Sequence, residues 1–239
     1  MNRLLIILLC CFLSLGAGSS DFEEDDLSDL YSGSASNLDM VSDTTNQTFC
    51  VWLNVEGFET GTGFGDNVMT LSPSSGDAWG TSIGDSTGNV SIIYTTGANS
   101  GAISNGATAG IWQQHCSIFE QSNDNIFMYL NGTEFHSNTS YTNNSAGTGT
   151  TIYLGESDSA TNEYDGLMAY PEFFNTALTE VQLIELVYKP LSLPSASSYS
   201  LWHSSISKDL SGNGNDLTGS GIAESEDGPP IMLGGGIPL

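Results

Sequence analysis

Oxygen-bearing side chains alternate along one short stretch near the end of the chain. Asp209, Ser211 and Asn213 are each separated by one residue, and a glycine and then Asn215 follow. This order matches the first half of a calcium-binding loop, in which alternate residues converge on one ion and a glycine allows the sharp turn. The glutamate that closes such a loop is replaced by Ser220. The stretch therefore predicts a calcium site, with a hydrogen-bonded Gly/Asn turn as the alternative.

The charge of the chain is the second indication of a cation. The sequence contains 28 Asp and Glu residues against 3 Lys and Arg, a formal net charge of −25. Such a chain favours hard cations, and Asp165 is a candidate to add a carboxylate to the site from a neighbouring loop. The same charge excludes nucleic acid and anionic membrane surfaces as partners, because both require Lys and Arg. Adaptation to salty or acidic surroundings is the alternative explanation.

Aromatic side chains in polar loops are the candidates for contact with a sugar. Trp79, Tyr141 and Tyr164 each stand among Gly, Ser, Thr, Asn or Asp residues. An aromatic ring with one apolar face and a polar edge stacks well on a sugar ring. Packing into the core is the alternative for each of the three.

Paired carboxylates are the requirement for hydrolysis of a glycosidic bond, because one acts as an acid and the other as a nucleophile or base. No apolar strand in the sequence carries two such groups at alternate positions. Glu156 and Asp158 have the spacing but lie in a predicted loop. The sequence thus predicts no catalytic residues. The rival hypothesis is a glycosidase whose carboxylates come from separate strands, with Glu134, Glu156 and Asp158 as the suspects.

The elements that would position these residues are mostly short β-strands. Ile126–Leu130 alternates apolar residues on two faces, and Asn131-Gly132 follows at once. Both turn residues tolerate positive φ, so the dipeptide predicts a tight hairpin with Thr133–His136. Cys116–Phe119 is expected to pair on the other side, which makes an antiparallel meander.

One helix interrupts this pattern, at Glu180–Tyr188. Thr179 is its predicted N-cap, and Gln182 three residues later completes a capping box. Pro190 ends it. The apolar residues noted at helical spacing are Val181, Ile184 and Val187.

The N-terminus has the pattern of a secretory signal peptide. Arg3 precedes the apolar run Leu4–Leu15, and small residues follow. We therefore predict a signal peptide over residues 1–19, secretion to the extracellular space or cell surface, and an acidic flexible linker over 20–35. No later stretch is apolar enough to predict membrane insertion.

Two cysteines remain after such a leader, Cys50 and Cys116, and both lie in predicted strands. We expect two buried thiols that pack as small apolar residues. Export also permits a disulfide between them.

Four signals occur in a fixed order along the chain, followed by the short helix. They are Trp112 with Ile118, the run Met128-Tyr-Leu-Asn-Gly132, the run Ile152-Tyr-Leu-Gly155, and Tyr164-Asp-Gly166 with Phe174-Asn-Thr-Ala-Leu178-Thr179. This series resembles the laminin G-like branch of the concanavalin A-like jelly rolls. One departure is that a segment like Asp209–Asn215 commonly precedes the domain, whereas here it follows.

The resemblance implies two curved antiparallel sheets packed face to face, in agreement with the strands inferred above. We predict an all-β, two-sheet β-sandwich (jelly roll) over 36–188 and a C-terminal segment, 189–239, that adds a strand before a Gly/Pro tail. Members of the family bind glycans, proteins or calcium, and some relatives are glycosidases. The predicted function is a secreted, non-catalytic module that recognises an extracellular glycan or cell-surface protein. A glycosidase and a virion or tail-fibre adhesin are the alternatives.

Overall fold

A computed structural model describes residues 18–22, 30–38, 46–58, 66–72, 74, 79–84, 89–94, 101–139, 148–155, 163–200, 208–225 and 227–230. In this part of the chain one α-helix, α1, spans Glu180–Tyr188. The strands are β1 Ser19–Phe22, β2 Leu30–Ser34, β3 Gln47–Val55, β4 Asp66–Ser72, β5 Trp79–Gly84, β6 Asn89–Tyr94, β7 Gly101–Asn105, β8 Gln113–Glu120, β9 Asn125–Leu130, β10 Thr133–Asn138, β11 Thr151–Leu154, β12 Gly166–Phe174, β13 Ser197–Ser200, β14 Lys208–Asp209, β15 Thr218–Ser220 and β16 Ala223–Ser225.

The strands form two antiparallel sheets. The large sheet has the order β10-β9-β8-β3-β12-β1-β16, with β13 pairing to β12 and β14 to β13. The small sheet has the order β15-β2-β11-β4-β5-β6-β7. The predicted antiparallel β-sandwich with one helix is confirmed.

The core lies between the two sheets, and alternation along each strand decides which side chains enter it. On β3, Phe49, Val51 and Leu53 belong to the main core cluster, whereas Cys50 and Trp52 belong to smaller clusters. All nine residues of β3 are buried. A strand apolar on both faces requires cover on both, and helix α1 supplies part of the outer cover.

The central hairpin is confirmed. Strands β9 and β10 pair antiparallel, with Thr133 opposite Leu130. Asn131 (φ 49°) and Gly132 (φ 78°) both take the left-handed conformation that the tight turn requires. The Oδ1 atom of Asn131 also accepts the backbone N–H of Gln114 at 2.9 Å, which ties the turn to β8.

Helix α1 begins as predicted. The hydroxyl of Thr179 accepts the Gln182 N–H, and the Gln182 side chain accepts the Thr179 N–H at 2.9 Å. The residues that helix α1 buries, however, are Leu183 and Leu186. Of the residues noted at helical spacing, Val181 and Ile184 are exposed and Val187 is half-buried. Both faces of this helix carry apolar residues, so the pattern alone does not decide which face is buried. In the structure the face with Leu183 and Leu186 packs inward.

The cysteines are joined. Cys50 on β3 and Cys116 on β8 lie directly opposite each other, their Cα atoms are 4.1 Å apart, and they form a disulfide. The expectation of two free thiols is wrong. The register between β3 and β8 places the two cysteines, which are far apart in sequence, directly opposite each other on neighbouring strands.

The flexible linker predicted over 20–35 contains strands at both of its ends, and its middle, residues 23–29, lies outside the described residues. Most of β1 and all of β2 fall inside that range, and β1 begins at Ser19, within the predicted leader. Strand β1 lies between β12 and β16, and β2 lies between β11 and β15. The C-terminal segment contributes β13 to β16 to the two sheets. No helix within the described ranges is long and apolar enough to cross a membrane.

Candidate functional site

A compact loop between β14 and β15 carries most of the predicted cation ligands. The carboxylate of Asp209 accepts the backbone N–H of Ser211 at 2.9 Å and that of Asn215 at 2.9 Å. Gly212 (φ 84°) and Gly214 (φ 79°) provide the left-handed turns that let the backbone wrap around this carboxylate. A buried Asp209 is therefore the centre on which the loop folds.

The other oxygen-bearing side chains of the loop converge on a carbonyl. The Ala196 carbonyl accepts three hydrogen bonds. The donors are the Ser211 hydroxyl at 3.0 Å, Nδ2 of Asn213 at 2.7 Å and Nδ2 of Asn215 at 3.2 Å. All three side chains thus present donors to one acceptor. This arrangement is that of a turn closed by its own hydrogen bonds. A calcium ion would instead require the side-chain oxygens of these residues to point towards one common position.

The loop is closed at its other end by Asp216. Its Oδ1 accepts the backbone N–H of Asp209 at 3.0 Å, and its Oδ2 forms an ion pair with Lys208. The hydrogen bond from Lys208 holds the pKa of the Asp216 carboxyl below its usual range. Both side chains are exposed, so this pair orients the loop and contributes little stability.

A pocket of about 300 Å³ opens between this loop and the segment that follows helix α1. Three serine hydroxyls line it together with apolar side chains, and Leu210 on its wall is 53% exposed. Its lining residues are Leu191, Ser192, Leu193, Pro194, Ser195, Leu210 and Ser211. A concave surface that mixes apolar contacts with a few hydroxyls suits a small polar ligand with apolar faces, such as a sugar.

The segment 189–195, which forms one wall of the pocket, is held to the large sheet by a buried carboxyl. The Leu191 backbone N–H hydrogen-bonds to Glu172 of β12, and the Ala196 N–H donates to the Phe173 carbonyl at 2.8 Å. Glu172 is 1% exposed, and its burial raises the pKa of the carboxyl to about 8, against a small opposing effect of the Leu191 hydrogen bond. At neutral pH the wall of the pocket therefore rests on a mostly uncharged acid.

One predicted stacking residue, Tyr164, lies in the core and does not line this pocket. Tyr164 is 0% exposed, its ring packs edge-on to Phe22 at 5.9 Å, and its hydroxyl donates to the Leu167 carbonyl at 3.1 Å. Its prediction as an exposed loop aromatic is wrong, because β1 covers it. Trp79 begins β5, where its backbone pairs with Leu71. Tyr141 lies outside the described residues.

Asp165 is separated from the other predicted cation ligands. Asp165 directly precedes β12. The 208–216 loop lies near the other end of that strand, because Asp209 contacts Ser197 and Ser197 pairs with Phe173. About eight residues at ~3.3 Å each place Asp165 roughly 25 Å away along the strand. It cannot share a cation with the 208–216 loop. Within the described ranges, no three His, Cys, Asp or Glu side chains come together as metal ligands.

The suspects for a glycosidase are only partly placed. Glu134 is exposed on β10, and its Oε2 accepts the hydroxyl of Tyr129 at 3.4 Å. Glu156 and Asp158 lie outside the described residues, so the separation of the carboxylates stays untested.

Sequence reasoning did not find the pocket residues Ser192, Ser195 and Leu210. Serine and leucine carry no local signature of binding, and the pocket forms only because β14 pairs with β13. The one usable signal was Pro190, which marks the end of helix α1.

Comparisons with known proteins agree with this fold. The family model of the concanavalin A-like lectin/glucanases superfamily matches residues 31–183. Among solved structures, a candidate carbohydrate binding protein of Bacteroides ovatus ATCC 8483 is 16% identical with a TM-score of 0.66, over 91% of this chain and 62% of that one. The heptameric SAP-like pentraxin of Limulus polyphemus is 11% identical with a TM-score of 0.59, over 90% and 97% of the two chains.

The binding domain of botulinum neurotoxin serotype G is 10% identical with a TM-score of 0.54, over 72% of this chain and 42% of that one. No curated protein matches the chain. At these identities the solved structures show the fold alone, and the chain spans 62% of the length of the Bacteroides protein.

Proposed function

Because the chain belongs to the laminin G-like family of the concanavalin A-like lectin/glucanases superfamily, we propose that it is a non-catalytic module that binds a glycan in the pocket beside the 208–216 loop. The observation that carries the proposal is the pocket itself, in which serine hydroxyls alternate with the apolar side chains of Leu191, Leu193 and Leu210. Hydroxyls that donate and accept hydrogen bonds match sugar hydroxyls, and apolar carbons match the faces of a sugar ring.

The walls of this pocket are fixed before a ligand arrives. The loop is pinned by three donors to the Ala196 carbonyl, and the opposite wall is held by the hydrogen bond between Leu191 and Glu172. A preformed site loses less conformational entropy on binding than a flexible one. That the solved structure of a candidate carbohydrate binding protein shares the fold adds support.

Secretion is part of the proposal, and its support is the pattern of Arg3 followed by Leu4–Leu15. An extracellular glycan is then the natural ligand, and a cell-surface protein that carries one is the natural partner. Expression with the native N-terminus in a secreting host tests this: mature protein should accumulate in the medium without the apolar run.

A glycan array probed with the mature protein tests the ligand. We expect binding to a restricted set of oligosaccharides, and Ser192→Trp should weaken it at least tenfold because the indole fills the pocket. Ser122→Trp, at another exposed serine far along the chain, is the matched control and should bind like the wild type. Equal binding by the wild type and Ser192→Trp would remove the pocket from the proposal.

Calcium assistance is a finer part of the proposal, supported by the spacing of Asp209, Ser211, Asn213 and Asn215 within one loop beside the pocket. The amides of Asn213 and Asn215 now point their Nδ2 groups at Ala196, so binding requires both to turn. Calcium that binds only the folded state raises the melting temperature. A rise that Asp209→Asn abolishes supports the site, and an unchanged melting temperature with calcium or EDTA contradicts it.

The enzymatic alternative has a direct test. We expect no release of reducing ends from laminarin, agar or carrageenan. Release that Glu134→Ala, Glu156→Ala or Asp158→Ala abolishes would replace the binding proposal with a glycosidase.

A further inference from the structure

Helix α1 has an apolar face that is largely exposed in the described part of the chain. Its buried residues are Leu183 and Leu186. On the opposite face, Val181 is 76% exposed, Ile184 41% and Tyr188 54%. With about 100° of rotation per residue, spacings of three and four place these side chains within an arc of roughly 60°. We refer to Val181, Ile184 and Tyr188 as the exposed ridge.

The clustering of these residues is unusual in the described part of the chain. The large apolar side chains exposed there are Ile111, Val181, Ile184, Tyr188 and Leu210, so three of the five lie on one helix face. Single exposed apolar residues are normal on a protein surface, but a contiguous group marks a place of contact. Leu183 and Leu186 pack the helix into the cluster around the disulfide, so in the described part of the chain most of the ridge surface stays exposed.

The ridge is rigid. The capping box at Thr179 fixes the start of the helix. The hairpin turn packs so closely against the helix that a Cβ on Gly132 would lie 2.8 Å from Cγ1 and 3.1 Å from Cα of Ile184. A rigid apolar surface binds a partner at a small entropic cost.

Glutamates surround the ridge. Glu180 and Glu185 are exposed and lie about 70° to either side of its centre on the helix. Glu134 on β10 accepts the Tyr129 hydroxyl at 3.4 Å. The pKa of the Tyr129 hydroxyl is raised, first by desolvation and next by the charge and hydrogen bond of Glu134. The charges of Glu180 and Glu120 add smaller effects, so these acids lie on one patch of surface.

We propose that the exposed ridge is a docking surface for a protein segment that presents apolar side chains flanked by Lys or Arg. Apolar side chains would cover Val181, Ile184 and Tyr188, and the basic residues would meet Glu180 and Glu185 on the two sides. This arrangement has the apolar centre and charged rim of a protein interface. A second copy of this chain fits poorly, because paired ridges would bring glutamates against glutamates in a chain of net charge −25.

The surface is separate from the glycan pocket. It lies on side chains of helix α1 and on the adjoining hairpin, whereas the pocket is lined by residues 191–195 and 210–211. Loss of one function therefore leaves the other measurable.

A designed peptide tests the proposal. The probe is a fluorescein-labelled helix of about 18 residues, made of Leu and Lys with the leucines on one face, and its control is a scrambled peptide of the same composition. Fluorescence anisotropy is measured at about 0.15 M salt, where long-range attraction to the negative chain is screened. We expect the amphipathic peptide to bind at least tenfold more tightly than the scrambled one.

Variants locate the binding. Val181→Ser/Tyr188→Ser should reduce the affinity for the amphipathic peptide to that of the scrambled one, with an unchanged melting temperature because both side chains are exposed. Ile111→Ser, at an exposed isoleucine outside both the ridge and the pocket, should bind like the wild type. Glu180→Gln/Glu185→Gln should weaken binding and lower its dependence on salt.

Two results would overturn the proposal. The first is equal binding of both peptides, or unchanged binding by Val181→Ser/Tyr188→Ser. The second is a concentration-dependent dimer in sedimentation that Val181→Ser/Tyr188→Ser abolishes, since the occupant of the ridge would then be a second copy.

Discussion

Two buried ionisable side chains lie on opposite faces of the large sheet. His115 on β8 is opposite Val51, a main-core residue, and is 3% exposed, with neither ring nitrogen hydrogen-bonded. Glu172 on β12 is opposite Cys50, on the face covered by helix α1 and the segment 189–195. Burial disfavours the charged form of each, so their effects on stability have opposite dependence on pH.

His115 makes the fold sensitive to acid. Desolvation lowers the pKa of its imidazole from 6.5 to about 4. The part of the folding stability that depends on neutral His115 is fully present above pH 6.5. It is lost as the pH falls towards 4, because in this range the imidazole is protonated in the unfolded state and neutral in the folded state. We expect a loss of about 3 kcal/mol between pH 6.5 and 4. His115→Phe should abolish this part of the slope in urea unfolding, and an unchanged slope contradicts the assignment.

Glu172 acts in the other direction. Its carboxyl pKa is raised from 4.5 to about 8, mainly by desolvation, so the folded state retains a proton that the unfolded state releases. Stability is fully present below pH 4.5 and declines as the pH rises towards 8, by about 4–5 kcal/mol in total. Glu172→Gln keeps the shape without the charge. The variant should be more stable than the wild type at pH 8, and its free energy of unfolding should no longer fall with pH above 4.5. If the free energies of both proteins change equally with pH, Glu172 is already ionised in the folded protein.

At the scale of elements, the disulfide joins two central strands. Cys50 and Cys116 are 66 residues apart in sequence, and their bridge lies in an apolar cluster with Leu183 and Leu186. The loop-entropy relation assigns such a crosslink about 4 kcal/mol, through restriction of the unfolded chain. Cys50→Ala/Cys116→Ala should therefore unfold at a lower urea concentration than the wild type. Reductant should lower the wild-type midpoint and leave the variant unchanged.

Mass spectrometry checks the bridge itself. The non-reduced protein should be lighter than the reduced protein by the mass of two hydrogen atoms. Equal masses would mean that the expectation of thiols was right and the disulfide wrong.

The elements that the sequence predicted well are those determined by neighbouring residues. The Asn131-Gly132 turn and the Thr179 cap depend on side chains within a few positions, so local chemistry decides them. The failures concern partners that are distant in sequence. Tyr164 is polar-flanked like a loop residue, yet β1 from the other end of the chain buries it. The face that helix α1 buries was also missed, because only the sheet decides between two apolar faces.

The candidate site follows the same division. The spacing of Asp209, Ser211 and Asn213 predicted a calcium site, which stays a prediction, with a hydrogen-bonded turn as the alternative. The hydrogen bonds of that turn are local and follow from the same residues. The acceptor of its side chains, Ala196, and the pocket wall at 191–195 could not be predicted, because both depend on the pairing of β13 with β12 and β14. The separation of Asp165 from this loop likewise needed the register of β12.

At the scale of the whole molecule, burial and backbone pairing hold the fold, with little help from ion pairs. An ion pair joins the exposed side chains of Lys208 and Asp216 and contributes little stability. The remaining acidic residues repel one another in a chain with 28 acidic and 3 basic residues. The main core cluster draws on strands of both sheets, from Phe22 on β1 to Leu217 just before β15.

The described segments that flank the matched region are therefore part of the fold, although the family match covers only residues 31–183. Strand β1 pairs with both β12 and β16, and the Ser19 hydroxyl donates to the Asp227 carbonyl at 2.6 Å. The ring of Phe22 packs edge-on to Tyr31 at 6.1 Å. Without these segments, β12 has an unpaired edge beside a core that has lost Phe22 and Leu217. An exposed strand edge next to apolar side chains promotes aggregation.

We expect a protein limited to residues 31–183 to fail to fold on its own, while residues 19–239 form a stable domain. A piece spanning 19–207 retains β1 and β13 but loses β14, β15 and β16, and should fold with a lower urea midpoint, because Leu217 and the 208–216 loop are gone. Circular dichroism and urea unfolding of the three lengths distinguish these outcomes. Cooperative unfolding of the 31–183 piece at the same midpoint as 19–239 would show that the matched region is sufficient and that the terminal strands are accessory.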